Sequence, residues 1–298
     1  MTALTGPGAL RAPRPHPRRG RGMSPRTATA VFLKYLSLVL ASAVVVIPLV
    51  AILLTSLRTS KEMTHEGPLS APDNWFNLHN YATAFTDGHM LRALWNTSFI
   101  LFFSVLGTVL IGSMTAYAID RFHFPFKKLV LALFLIASLV PSVTTQVATY
   151  QIVNNLGAMD TRWAPIMLYM GTDIVSIYIF LQFIRSIPIS LDEAARLDGA
   201  NSFTIYWRII MPLLRPAIAT VVIIKGVAIY NDFYIPFLYM PDDNLGTIST
   251  SLFRFKGPYG AHWEVISAGA ALVIIPSLIV FLALQRFIYN GFASGATK

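Results

Sequence analysis

A polar stretch at residues 185–215 lies between two long apolar runs and reads RSIPISLDEAARLDGANSFTIYWRIIMPLLR. Its first half predicts a short helix, because Ser190 and Glu193 have the spacing of a capping box. Gly199 follows where a chain reversal favours a residue that tolerates positive φ. The predicted helix places three apolar residues on one side: Leu191, Ala194 and Ala195.

The second half of this stretch predicts another helix. Either Asn201 or Ser202 is suited to cap it. Within the helix, one apolar stripe is formed by Phe203, Trp207 and Ile210. Pro212 is expected to end it. On this local chemistry alone, an amphipathic segment resting on lipid headgroups is an equally good interpretation.

Composition indicates an integral membrane protein. The 298 residues are 55% hydrophobic and only 12% charged, with a mean hydropathy of +0.59. The absence of cysteine excludes disulfides, thiolate catalysis and Cys-ligated metals. The net charge of +9 is spread over the segments between apolar runs, so it does not indicate nucleic-acid binding.

Apolar runs long enough to span a bilayer predict an all-α, polytopic fold with six transmembrane helices. The predicted spans are residues 31–57, 94–119, 129–153, 164–184, 216–238 and 265–288. The remaining segments are a disordered basic tail at 1–30, an extracytoplasmic loop at 58–93, the loop at 185–215 within a core at 94–288, and a C-terminal tail at 289–298.

Charge asymmetry predicts the orientation. Six spans place both termini on one side, where sixteen Lys and Arg residues fall, against six on the other side. By the positive-inside rule the side with sixteen faces the cytoplasm, together with the 185–215 loop and both termini. Lys225 lies within a span.

The spacing within the 185–215 loop resembles a known motif. Glu193-Ala194-Ala195, three residues, Gly199, nine residues, Ile209, one residue and Met211-Pro212 resemble the EAA motif of bacterial ABC-importer permeases, in which Leu usually stands at the Met position. From about residue 90 onward the chain resembles the smaller membrane subunit of carbohydrate importers of the maltose-permease type. The C-terminal pattern Gly291-x3-Gly295-Ala296-x-Lys298 belongs to that resemblance.

The resemblance implies a type I ABC-importer transmembrane domain in a bacterial cytoplasmic membrane. It implies three kinds of partner besides lipid: a second permease subunit in a heterodimer, two cytoplasmic ATPase subunits that bind ATP and Mg, and an extracytoplasmic solute-binding protein. This chain would bind no cofactor and no nucleic acid. The residues implied to contact the ATPase are Glu193, Ala194, Ala195, Gly199, Phe203 and Trp207.

Polar residues inside the spans are candidates for a translocation path, since ionisable groups in a membrane are costly. Asp173 and Lys225 both fall near mid-membrane, where they form either an ion pair that fixes helix packing or a substrate contact. Asn231 and Asp232, near the outer end of the fifth span, suit either a path lining or an interfacial position. Two further candidates that suit sugar hydroxyls lie in the third span: Tyr150 and Gln151.

Missing motifs argue against an enzyme. The sequence has no P-loop, no HExxH and no Gly-x-Ser-x-Gly, so we predict no catalytic residue and no metal site. The resemblance leaves a permease for another solute, such as a polyol phosphate, as an alternative. A secondary transporter and a polytopic membrane enzyme are further alternatives, but neither the internal repeats of the first nor the clustered catalytic groups of the second are visible.

Overall fold

The computed structural model describes residues 25–65, 67, 69–171, 173–257 and 260–296. Most of the predicted N-terminal tail and the end of the C-terminal motif lie outside these residues. The backbone divides into two units, Met1–Leu49 and Val50–Lys298. Helix α1, Pro25–Ser56, begins earlier than the predicted span at 31–57, because Pro is well accommodated in the first turn of a helix.

The described part of the second unit is mostly helical. Its helices are α2 (Ser60–His65), α3 (His79–Thr86), α4 (Met90–Arg121), α5 (Lys127–Leu139), α6 (Ser142–Asn155), α7 (Trp163–Met170), α8 (Ile174–Ser186), α9 (Ser190–Leu197), α10 (Ser202–Ile205), a π-turn (Tyr206–Ile210), α11 (Met211–Leu213), α12 (Arg215–Asn231), α13 (Tyr234–Tyr239), α14 (Ile248–Ser251) and α15 (Trp263–Ala296). Two 3₁₀ turns, Asp243–Leu245 and Leu252–Phe255, and a small antiparallel pair, β1 (Lys256–Gly257) with β2 (Gly260–Ala261), complete it.

The predicted count of six spans is only partly reproduced. In the described chain, Thr29–Ser56 and Met90–Arg121 are long and apolar enough to cross a membrane, and there are five such spans if each bent helix pair counts as one. The predicted sixth span falls in α15, of which the described stretch Trp263–Ile279 is apolar. The count of six stays a prediction.

Two predicted spans are pairs of helices with a sharp bend. The span predicted at 129–153 consists of α5 and α6, bent by 103°, because Pro141 holds Val140 in an extended conformation with ψ of 118°. The span predicted at 164–184 consists of α7 and α8, whose axes differ by 44°. Broken helices are tolerated in membranes where neighbours or cavities satisfy the freed backbone groups.

Helix α4 is the centre of the core, and it packs against α7, α8 and α12. Gly112 permits its close approach to α8, because a Cβ at this position would lie 3.3 Å from the Phe180 ring. The fully buried apolar side chains of this core are Ile100, Ala116, Ile166, Phe180, Leu181, Ile184, Ile205, Ile210, Leu214, Ala217 and Val221. The core is therefore built on the helix that precedes the broken spans.

A buried amide joins the beginning of α4 to the loop before α14. Asn96 is completely buried, and its Nδ2 donates to the carbonyl oxygens of Asn244 and Gly246, at 3.0 Å each. Its Oδ1 accepts a hydrogen bond from Nε of Arg162 at 2.8 Å. All three contacts satisfy groups that would be costly to bury alone.

The predicted loop at 58–93 contains α2, α3 and the first residues of α4. The Glu62 carboxylate orders the part around α2, since it accepts hydrogen bonds from the Thr59 hydroxyl at 2.6 Å, from the Thr59 N–H, and from the Asp73 N–H at 2.8 Å. These donors, the Thr59 hydroxyl first, lower the pKa of Glu62 from 4.5 to about 2.

Candidate coupling site and intramembrane polar groups

The first helix of the 185–215 loop is α9. Its N-cap residue, Ile189, already has helical dihedrals and makes no side-chain capping hydrogen bond. Ser190 therefore lies inside the helix rather than at its cap. The predicted capping box of Ser190 and Glu193 was wrong for this reason.

The predicted turn at Gly199 is present. Its φ is +83°, a value that suits glycine because other side chains would be strained there. The N–H of Ala200 donates to the carbonyl of Ala195 at 2.9 Å, and that of Gly199 to the carbonyl of Arg196 at 3.0 Å. This is the Schellman pattern of a helix end.

The second helix is longer than predicted. Asn201 caps it, because its Oδ1 accepts a hydrogen bond from the Thr204 N–H at 2.8 Å. The π-turn follows, with the Met211 N–H bonded to the Tyr206 carbonyl. Pro212 does not end the helix. Proline has no N–H to donate to the helix, but the π-turn directly before it already interrupts the α-helical hydrogen bonds, so Pro212 can be accommodated there. The chain instead bends by 73° between α11 and α12, at Leu214.

The side chains of α9 divide differently from the prediction. Asp192 and Ala195 are buried, with exposures of 2% and 9%, whereas Leu191 and Ala194 are exposed. Glu193 is exposed too. Of the predicted ATPase contacts, Ala195 thus turns its side chain into the protein.

The predicted stripe on the second helix is also divided. Ile210 is completely buried, whereas Phe203 and Trp207 are 64% and 40% exposed, with ring centroids 6.1 Å apart. The π-turn explains the split, because Trp207 and Ile210 both lie in it and its wider turn changes the angle between their side chains. We refer to the exposed residues of both helices, Glu193, Ala194, Phe203 and Trp207, as the knob surface.

An ion pair that sequence reasoning missed holds α9 in place. Nε of Arg121, at the end of α4, lies 2.5 Å from Oδ2 of Asp192, and both side chains are buried. Neither Arg121 nor Asp192 was singled out from the sequence. The available signal was the charged pair Asp120-Arg121 at the end of an apolar run of the chain.

The candidate pair inside the membrane is formed. Nζ of Lys225 on α12 lies 3.2 Å from Oδ2 of Asp173, and the side chains are 20% and 12% exposed. Asp173 stands at the break before α8, where its carboxylate also accepts a hydrogen bond from the Ser176 hydroxyl. A negative charge is favourable at this end of a helix, so the pair ties the broken span to α12.

Asp232 mainly orders the backbone where α12 ends. Its carboxylate accepts hydrogen bonds from the Tyr169 hydroxyl at 2.9 Å and from the N–H groups of Tyr234 and Ile235, at 2.8 and 3.3 Å. Asn231 is exposed and donates only within its own helix, to the Val227 carbonyl at 2.9 Å, among the described contacts. Tyr169 was not singled out from the sequence.

The remaining path candidates lie on α6. Tyr150 is 41% exposed, and its ring centroid is 6.0 Å from that of Tyr239 on α13. Gln151 is exposed. The structure therefore brings Asp173 to Lys225, and Tyr150 to the helix that follows Asp232. A substrate role for any of these residues stays a prediction. No group of His, Cys, Asp and Glu among the described residues is arranged to hold a metal.

Comparison with known proteins agrees with this architecture. The family of binding-protein-dependent transport system inner membrane components matches residues 108–293. The melibiose/raffinose/stachyose import permease protein MelC of Bacillus subtilis is 31% identical over 85% of this chain and 91% of its own length. The probable starch degradation products transport system permease protein AmyC of Thermoanaerobacterium thermosulfurigenes is also 31% identical, over 89% of this chain and 96% of its own length.

A solved structure supports the fold. It is a bacterial ABC transporter involved in the import of the acidic polysaccharide alginate, and one of its chains aligns with a TM-score of 0.76 at 19% identity, over 88% of this chain and 98% of that chain. The chain described here is thus a membrane protein that belongs to the family of binding-protein-dependent transport system inner membrane components, the permease subunits of ABC importers.

Proposed function

We propose that this chain is a permease subunit of an ATP-driven importer of a sugar or oligosaccharide. It has the type I fold with six spans, lies in a bacterial cytoplasmic membrane with both termini in the cytoplasm, and forms half of the translocation path. The names of the carbohydrate permeases that it resembles support the substrate class. Family membership argues against a secondary transporter.

The knob surface carries the proposal. One side of α9 and of the second helix is buried against the core, while Glu193, Phe203 and Trp207 remain exposed. A rigid projection with exposed aromatic rings and one carboxylate suits docking into a cleft of a partner protein. We assign that partner as a cytoplasmic ATPase subunit, with Gly199 shaping the turn between the two docking helices.

The assembly follows from the same assignment. Two ATPase subunits supply ATP and Mg binding, a second permease completes the path, and an extracytoplasmic solute-binding protein delivers the substrate. This chain itself holds no cofactor. When the ATPases close on ATP, they displace the knob surface, and the bundle rotates between inward- and outward-facing states.

Cysteine crosslinking tests the assignment, because the chain has no native cysteine. In membranes that also contain the ATPase subunits, Ala194→Cys should give an adduct with an ATPase whose yield changes with ATP. Ala195→Cys is the matched control, since the neighbouring side chain is buried and should give little adduct. Labelling of Ala194→Cys by an impermeant maleimide from the extracytoplasmic side would overturn the topology and the coupling assignment together.

Uptake tests the substrate class. Deletion of the gene should abolish ATP-dependent uptake of a labelled oligosaccharide, and restoration of the gene should recover it. If the deletion instead abolished uptake of a polyol phosphate and left oligosaccharide uptake intact, the sugar assignment would be wrong, although the coupling assignment would stand.

A further inference from the structure

The buried ion pair between Arg121 and Asp192 joins α4 to α9. The side chains are 5% and 3% exposed, and neither carboxylate oxygen of Asp192 makes a hydrogen bond within the described part of the chain. Arg121 is therefore the charge compensation on which the buried Asp192 depends. A buried carboxylate that loses such a partner is strongly destabilised.

Arg121 also holds the end of α8. Its Nη2 donates to the carbonyl oxygen of Ile187 at 2.8 Å and lies 3.5 Å from that of Ile184. Its Nη1 donates to Asp120 at 2.8 Å. The planar guanidinium thus connects three helices, α4, α8 and α9, at one point. Lysine would not reproduce this connection, since it lacks the fork of fixed donors.

A second buried contact joins α4 to the other helix of the loop. The hydroxyls of Ser113 and Tyr206 are 2.7 Å apart, and the rings of Tyr117 and Tyr206 lie 5.5 Å apart. Tyr206 begins the π-turn, a feature that is frequent at functional sites. Both helices that present the knob surface therefore contact α4. In the sequence, α5 to α8 lie between α4 and these two helices.

These side-chain contacts connect the loop to α4, which is not its neighbour in sequence. Along the backbone the loop is connected to α8 and α12. Through the side chains it is also connected to α4, which packs against α7, α8 and α12 at the centre of the core. We infer that Arg121 is a positioning residue for transport coupling, which acts through Asp192 to pass displacement of α9 to α4. The inference rests on the proposed function of the knob surface.

The test compares coupling with assembly. Arg121→Met combined with Asp192→Leu removes both charges of the buried pair, and Asp120, 15% exposed, keeps Arg185 as a partner at 3.7 Å. We expect this double variant to assemble with the ATPase subunits and to hydrolyse ATP. The amount of oligosaccharide transported per ATP hydrolysed should fall about tenfold, a typical size for a coupling effect. The matched control is Lys128→Met, which removes an exposed charge in the first turn of α5 and should leave the ratio unchanged.

Two outcomes overturn the inference. An assembled double variant with a wild-type ratio of transport to hydrolysis would show that the pair serves folding alone. If the double variant fails to assemble, Arg121→Lys decides, because it keeps the charge but loses the fork; a reduced ratio supports the inference, and a wild-type ratio rejects it. The proposed function fails separately, when the chain with native Arg121 and Ala194→Cys forms no ATPase adduct.

Discussion

Replacing Lys225 tests whether the ion pair with Asp173 stabilises the bundle. At a separation of 3.2 Å and an effective dielectric constant of 20, the Coulomb attraction is about 5 kcal/mol. Part of this is offset by the desolvation of both groups. Because loss of one partner leaves the other charge inside the membrane, where a lone charge costs about 2.5–3.5 kcal/mol, we expect Lys225→Met to lower the free energy of unfolding by about 3 kcal/mol.

The double variant separates a packing role from a substrate role. Asp173→Asn keeps an acceptor for the Ser176 hydroxyl, so with Lys225→Met no lone charge remains. We expect the double variant to lie within about 1 kcal/mol of the original chain. Sugar uptake should then persist if the pair only fixes how α8 and α12 pack. Uptake lost from a stable double variant would instead assign the pair to the translocation path.

The assay is unfolding in mixed detergent micelles, followed by the circular dichroism of the helices. Lys128→Met serves as the control, since that lysine is exposed and its loss should change the free energy of unfolding by less than about 0.5 kcal/mol. A loss of the same small size in Lys225→Met would refute the reasoning.

Three further predictions use the same unfolding assay or a simple digest. Gly199→Ala should cost about 1–2 kcal/mol because of its positive φ, whereas Gly226→Ala, in open space within α12, should stabilise by about 0.5–1 kcal/mol; equal effects would contradict this account. Asn96→Ala should cost about 1–3 kcal/mol for each buried group left unpaired, and a neutral result would refute that role. The Glu62 pKa is lowered to about 2, so its stabilisation is present above about pH 4.5 and is lost toward pH 2. Pepsin cleavage of the α2 segment should therefore accelerate, relative to Glu62→Gln at each pH, as the pH falls from 4 to 2; a constant ratio would contradict the assignment.

Local signals in the sequence predicted several features well. The Gly199 turn and the Asn201 cap depend on residues within one or two helical turns, so their chemistry can be read directly from the chain. The apolar runs likewise predicted a helical membrane protein, because burial of backbone groups in lipid leaves few other folds. The EAA spacing indicated the family, which the comparisons confirmed.

Other features were predicted wrongly because they depend on neighbours that are distant in sequence. The local sequence favours a capping box at Ser190 and a helix end at Pro212. In the structure, however, Ile189 is the N-cap of α9, and the π-turn changes the register of the second helix. Hydropathy also cannot locate the bends in the third and fourth spans, since both halves of a broken helix remain apolar.

The sequence by itself determined that this chain is an apolar helical permease with a polar loop of family-specific spacing, since composition and short-range spacing are properties of the chain alone. Only the tertiary structure decided which face of that loop is exposed. Asp192 and Ala195 turn inward while Glu193 and Ala194 turn outward, because Arg121 reaches the loop from the end of α4. Such a contact joins residues far apart in the chain, so no local pattern encodes it.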